Sequence, residues 1–226
     1  MTSRRRVGKP PPHSRGRGQR GATPVRPGKS RVKGLGGDQV EGRHAVRELL
    51  LAGRRRVREV VLAGGLDPAP ILDDIIDLAD EARVSIRELP RSRFESMAHS
   101  EAPQGVLALA APLVDYDLEE LLAAGTTGHR ACLLVLDGVT DPGNLGVMIR
   151  SAECAGVTGV ILPRHRSARV TATVAKAAAG AIEHLRFSGV AGVASALSRL
   201  SSSGVWSVGL DAGGQVPIHD LAVADQ

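Results

Sequence analysis

The sequence predicts an α/β protein, with two consecutive α/β units behind a basic arm and the second unit built on a parallel sheet. Three observations carry this. From Glu41 onward, strand-like apolar runs alternate with segments of helical apolar spacing. Cys132–Leu136 is apolar at every position, as in a strand covered on both faces. Residues 1–37 hold 11 Lys or Arg, no acid, abundant Gly and Pro, and almost no large apolar side chain. Such a segment cannot offset its ordering entropy by burial and reads as a disordered basic tail.

The elements follow in order. His44–Leu51 places Ala45, Val46, Leu49 and Leu50 on one helical side. Val57–Ala63 reads as a strand that ends at Gly64–Gly65. Asp67 followed by Pro68 predicts a helix start, with Ile71, Leu72, Ile75, Ile76 and Leu78 continuing at helical spacing. A strand at Val84–Leu89, a short helix at Pro90–Met97 and a buried strand at Gly105–Ala110 complete a small unit over 38–111. Residues 112–129 carry acids, a short helix at Leu118–Ala124 and the breaker run Gly125–Gly128, and are expected to connect the units.

The second unit, 130–226, is expected to alternate regularly. Its strands are Cys132–Leu136, Gly159–Leu162, His184–Phe187 and Val205–Leu210. Its helices lie near Gly143–Ala155, Thr171–Ala179 and Val190–Ser202. Ile218–Leu221 suggests one more packed turn.

Composition narrows the function. Aromatics make up 2% of the 226 residues, which argues against a surface of stacked single-strand bases. It does not argue against folded RNA held through its phosphates. Cys132 and Cys154 lie far apart without metal-ligand spacing, and no secretory signal or eighteen-residue apolar run occurs. A cytoplasmic chain with reduced thiols is the expectation. Eighteen of the 29 Lys and Arg face all 24 Asp and Glu in residues 38–226, a net charge of −6, so the basic excess sits in the tail. That tail is either a solubilising extension or an arm that finds polyanionic RNA, with Arg4, Arg5, Arg6, Arg15, Arg17 and Arg20 as phosphate contacts.

The densest local signal is LDGVTDPGNLGVMIRSAECAG, from Leu136 to Gly156. Asp141 can cap a helix, and Pro142 is tolerated at the first helical position. Gly143 and Gly146 let another backbone or a ligand come close. Leu145, Met148, Ala152 and Ala155 are expected to face the sheet, with Asn144, Arg150, Ser151 and Glu153 elsewhere. Spacing alone leaves two readings open: an ordinary strand–helix junction with a solvated Arg150, or a binding turn. The glycines fit neither G-x-G-x-x-G nor the P-loop pattern, and no zinc cluster, H-E-x-x-H or G-x-S-x-G setting occurs.

The segment Leu133–Phe187, LLVLDGVTDPGNLGVMIRSAECAGVTGVILP followed by VTATVAKAAAGAIEHLRF, resembles the SpoU/TrmH family of RNA ribose 2′-O-methyltransferases. EGRHAV at Glu41–Val46 and QGVLAL at Gln104–Leu109 resemble that family's accessory RNA-binding domain. Together the resemblance covers about residues 38–221. It implies an L30e-like RNA substrate-binding domain over 38–111 and a trefoil-knot (SPOUT-type) methyltransferase domain from 130 onward. The implied cofactor is S-adenosyl-L-methionine, and the implied partner is rRNA, with a 23S guanosine as target. A homodimer of the full-length product is also implied, with no membrane, DNA or metal involved.

Residue by residue, Asn144 matches the family's first-motif asparagine and Arg150 its catalytic arginine. Glu153 matches a supporting acid, for which packing or an i,i+3 contact with Arg150 is the plain alternative. Gly209, Leu210, Asp211, Ala212 and Gly213 match a loop bordering the cofactor. Arg43 and His44 join the arm's arginines as RNA contacts.

The chemistry implied is methyl transfer from a sulfonium to ribose O2′. Arginine stays protonated and is a poor base. Arg150 is therefore expected to clamp a phosphate or hydroxyl oxygen and stabilise developing charge. The family's glycine-rich second motif and its Ser/Asn-containing third are not found by Gln226. The knot-forming segment is accordingly expected to be missing and these 226 residues inactive, the full-length product being the enzyme. The alternative is a non-catalytic RNA-binding or ribosome-assembly protein.

Overall fold

The computed structural model describes residues 34–123, 131–217 and 220. The amino-terminal unit runs β1 (Gln39–Glu41), α1 (Arg43–Ala52), β2 (Val57–Ala63), α2 (Pro70–Glu81), β3 (Ser85–Leu89), α3 (Arg91–Met97) and β4 (Val106–Ala110). Its strands line up in the order β1-β4-β2-β3, with β2 parallel to β3 and β4 antiparallel to both of its neighbours. Successive residues of β2 point to opposite faces. Val60 joins Leu49 and Ile75 in one core, while Val61 meets Leu107 and Phe94 of α3 on the other side.

Two expectations are corrected here. The three-residue strand β1 is not anticipated, because so short a run carries no periodicity. The second helix begins at Pro70, not after Asp67–Pro68. Ala69 is extended (φ −155°, ψ 141°), as a residue before proline tends to be, and Pro70 takes the first helical position. The α1 assignment holds: Ala45, Val46, Leu49 and Leu50 are all buried.

After the short helix α4 (Leu118–Leu122) comes the carboxyl-terminal unit. It runs β5 (Leu133–Val135), α5 (Pro142–Cys154), β6 (Gly159–Pro163), α6 (Ala172–Ala177), a 3-10 turn (Ala181–Glu183), β7 (Arg186–Val190) and α7 (Val193–Ser202). The sheet is parallel throughout, in the order β5-β6-β7, as the apolar strands predict. Both of its faces are covered. Val160 and Leu162 lie in the same core as Leu145, Ile149 and Val174, and Ile161 packs with Leu121, Ala196 and Leu200.

The strand expected at His184–Phe187 begins two residues later, because the 3-10 turn occupies Ala181–Glu183. Val190 closes β7 and does not open α7. Val205–Leu210, expected as a strand, forms none. It pairs with no neighbour among the described residues, and Trp206, Val208 and Leu210 are exposed. The turn expected at Ile218–Leu221 falls largely outside the described residues.

Candidate active site

Helix α5 leaves the carboxyl end of β5 through the turn 136–141. Asp141 caps it, its carboxylate accepting the Asn144 N–H at 2.6 Å, and Pro142 holds the first turn. Gly146 faces α6 so closely that a Cβ would lie 2.4 Å from the Ala177 Cβ and 2.8 Å from the Val174 carbonyl oxygen. At this position the missing side chain admits another backbone. At Gly143 a Cβ would meet only the Asp141 carboxylate.

That approach sets the rotation of the helix. Leu145, Ile149 and Ala152 are buried, whereas Met148 and Ala155, expected to face the sheet, are exposed. Asn144, Val147, Met148, Arg150 and Ser151 then share the solvent side. Arg150 makes no hydrogen bond or ion pair among the described residues, and the i,i+3 contact with Glu153 is not formed. The Glu153 carboxylate instead receives a 3.8 Å contact from the Cys154 thiol. An uncommitted guanidinium on a rigid helix, flanked by apolar Val147 and Met148, can take an oxyanion without first breaking a bond.

The neighbouring loop after β6 is fastened to the same turn. Ala168 N–H donates to the Val139 carbonyl at 2.8 Å, and Arg164 is held by Asp115 at 2.6 Å. The stretch Gly209–Gly213 is exposed and folded onto itself, with Asp211 accepting the Gly213 N–H at 2.8 Å. No hydrogen bond ties it to Asn144 or Arg150 among the described residues.

The RNA contacts expected at Arg43 and His44 lie elsewhere, at the start of α1. The two short sequence cues meet there: Gly42 N–H donates to Val106, and Arg43 donates to the Gln104 side-chain and backbone oxygens at 3.0 and 3.2 Å. Both residues line a cleft of about 880 Å³ with the Gly64–Leu66 turn, Phe94 and Ser100. Its wall is braced by Glu41, fully buried, which accepts from the His99 N–H, the Ser100 N–H and hydroxyl, and the Gln39 amide. Burial pushes the Glu41 carboxyl up. The Ser100 hydroxyl, the two N–H groups and Gln39 outweigh it and hold the carboxyl below the usual range. Sequence reasoning did not find Glu41 as a brace, because one acid in an otherwise plain segment carries no signal. Arg4, Arg5, Arg6, Arg15, Arg17 and Arg20 lie outside the described residues.

Among the described residues no group of His, Cys, Asp and Glu could hold a metal ion, and no helix is long and apolar enough to cross a membrane. Cys132 and Cys154 are free thiols.

Two stretches of the chain match known protein families. Residues 39–115 match the family model described as RNA 2′-O ribose methyltransferase substrate binding, and residues 131–226 match the SpoU rRNA Methylase family. A Staphylococcus haemolyticus protein assigned to the TrmH family of tRNA/rRNA methyltransferases is 33% identical over 184 residues, 81% of this chain and 73% of its own length. A Staphylococcus aureus counterpart is 34% identical over 183 residues, 80% of this chain and 73% of its own. Among solved structures, the SpoU methyltransferase AviRb from Streptomyces viridochromogenes, in complex with AdoMet, superposes with a TM-score of 0.58. It is 21% identical over 74% of this chain and 60% of its own. A TrmH family protein from Porphyromonas gingivalis gives 0.56 at 25% identity, over 74% of this chain and 59% of its own. The chain thus spans about 60% of the solved chains it resembles. On these matches, the chain belongs to the SpoU/TrmH family of RNA methyltransferases.

Proposed function

We propose that the protein serves S-adenosyl-L-methionine-dependent methylation of a ribose 2′-hydroxyl in rRNA, with a 23S guanosine as target. Another rRNA position or a tRNA would be the next substrates to test. The observation that carries this is Arg150, a guanidinium on the solvent face of α5 with no partner among the described residues, six positions along the helix from Asn144. In this reading Arg150 clamps a phosphate or ribose oxygen as charge develops on O2′, and Asn144 helps orient the incoming sugar. Glu153 supports the helix face. A 2′-hydroxyl is also the group that separates RNA from DNA as a substrate.

The cofactor is supported by the AdoMet complex of the AviRb structure. Gly209–Gly213 would border it, but these residues are exposed and enclose nothing by themselves. The described residues therefore do not make a closed cofactor site. The same exposure favours the second reading, a chain of residues 1–226 that binds RNA without turnover. The 38–111 segment as an L30e-like substrate-binding domain, 112–129 as a linker and a knotted domain from 130 onward belong to this proposal. So do a homodimer of the full-length product through its carboxyl-terminal domain, a cytoplasmic location and arm contacts from Arg4, Arg5, Arg6, Arg15, Arg17 and Arg20.

Labelled cofactor and 23S rRNA transcripts test the proposal. Transfer mapped to a ribose oxygen supports it. Tight RNA binding with neither cofactor binding nor transfer supports the binding-protein reading.

A further inference from the structure

The α1–β2 turn carries three arginines in a row, and the middle one is buried. Arg55 is 8% exposed and Glu183, in the 3-10 turn of the other unit, 3%. They form a two-pronged pair, Nε to Oε2 at 2.9 Å and Nη2 to Oε1 at 2.5 Å. The remaining donor Nη1 reaches the carbonyls of Gly37 at 2.5 Å and Ala111 at 2.8 Å. Arg55 thus ties together the two ends of the amino-terminal unit while holding the carboxyl-terminal one.

Further contacts close the same joint. Arg54 donates to the His184 carbonyl at 2.7 Å, and the His184 ring lies 3.0 Å from Glu48 of α1. Gly180 (φ 92°) sits so near α1 that a Cβ would fall 2.4 Å from that of Glu48. On the strand side, Gly37 N–H donates to Val170 at 2.8 Å. The 3-10 turn packs on both α1 and α5, the helix that carries Arg150.

We propose that Arg55 and Glu183 latch the RNA-binding unit to the unit carrying Arg150, so that the two address RNA as one rigid body. Arg55 is a positioning residue, acting through the 3-10 turn on α5. A buried ion pair is not needed for stability alone, since apolar residues of similar volume often serve as well. What it supplies is a penalty for opening halfway: a single partner left behind is a buried charge without compensation. The joint is then shut or open, with little between. This inference rests on the RNA-methyltransferase reading only for what the rigid body is used for.

The test is a distance measurement on the whole chain. Spin labels go on Cys154 at the end of α5 and on Asp77→Cys in α2, both exposed positions, with Cys132→Ser. The natural pair gives one narrow distance distribution. Arg55→Met leaves Glu183 unpaired and at least doubles the width, with helix content unchanged by circular dichroism. Adding Glu183→Leu removes the orphan charge and recovers the melting temperature but leaves the distribution broad, because no charge then penalises partial opening. A narrow distribution in this double variant would overturn the latch. Should Arg55→Met fail to fold, Glu183→Gln, which keeps the shape and removes the charge, must broaden the distribution instead.

In parallel, affinity for a 23S rRNA transcript falls about tenfold in Arg55→Met and stays low in the double variant, a difference of about 1.4 kcal/mol. Narrow distributions in every variant overturn the latch, whatever the RNA result. Broadened distributions with unchanged RNA affinity overturn its use in addressing RNA. Broadening in a chain whose natural form binds no RNA overturns the RNA reading and leaves the latch standing.

Discussion

Glu41 and Arg150 are both charged residues in plain α/β surroundings, yet their settings are opposite. Glu41 is sealed inside the amino-terminal unit with four donors on its carboxylate, and Arg150 stands on the outer face of α5 with no acceptor among the described residues. A buried charge with every valence met holds the fold in place, and removing it leaves its donors stranded. An exposed charge with none met costs the fold almost nothing to remove and is free to meet a ligand. The contrast separates architecture from chemistry more sharply than residue type does.

The largest effect expected on stability comes from the inner face of α5. Ile149→Ala empties a fully buried position and should cost about 3 kcal/mol, whereas Met148→Ala beside it should cost under about 1 kcal/mol. Urea denaturation of the two variants checks this, and equal losses would mean the helix is rotated from the arrangement described.

Glu41→Ala comes next, at about 2 kcal/mol, since it orphans buried donors. It also carries a pH signature. The Glu41 carboxyl is held below its ordinary range in the folded state. Its contribution is therefore complete above the unfolded value of about 4.3 and fades as pH falls through the lower folded one. Melting curves from pH 7 down to pH 3 should show the natural protein losing part of its advantage over Glu41→Ala in the acid range. A gap that stays constant with pH removes Glu41 as the titrating brace.

The smallest effect on the fold concerns the arm. Deleting residues 1–33, short of the Gly36–Gly37 contacts with Val170 and Arg55, should leave the melting temperature unchanged but flatten the slope of log affinity for RNA against log salt, because 11 positive charges leave with it. An unchanged slope would mean that the arm does not touch phosphate.

These contrasts were only partly legible in the sequence. Ala45, Val46, Leu49 and Leu50 declare the buried side of α1 because Arg43, His44, Arg47 and Glu48 between them are polar. Helix α5 is apolar on two sides, so its periodicity admits either Met148 or Ile149 as the inward residue. Gly146 decides between them, and a glycine adds nothing to an apolar pattern. The alternation at Val205–Leu210 looks like a strand, but a strand exists only with a neighbour to bond, which local pattern cannot supply. Arg55 and Glu183 are equally silent: Arg55 sits between Arg54 and Arg56, Glu183 is a lone acid before His184, and only the approach of two segments more than a hundred positions apart buries the pair. The junction Asp141–Pro142–Gly143–Asn144 was legible because its cap is local, with donor and acceptor three residues apart.

The central claim is that Arg150 acts in methyl transfer to RNA and does not serve the fold. The direct measurement is single-turnover transfer of labelled methyl to 23S rRNA by the full-length product, natural and Arg150→Ala, with melting curves on both. Transfer should fall by about 100-fold or more while stability shifts by no more than about 0.5 kcal/mol. Arg150→Lys should recover little, because an ammonium cannot span two oxygens as a planar guanidinium does. Near-normal transfer by a folded Arg150→Ala protein would contradict the account and make Arg150 an ordinary surface charge.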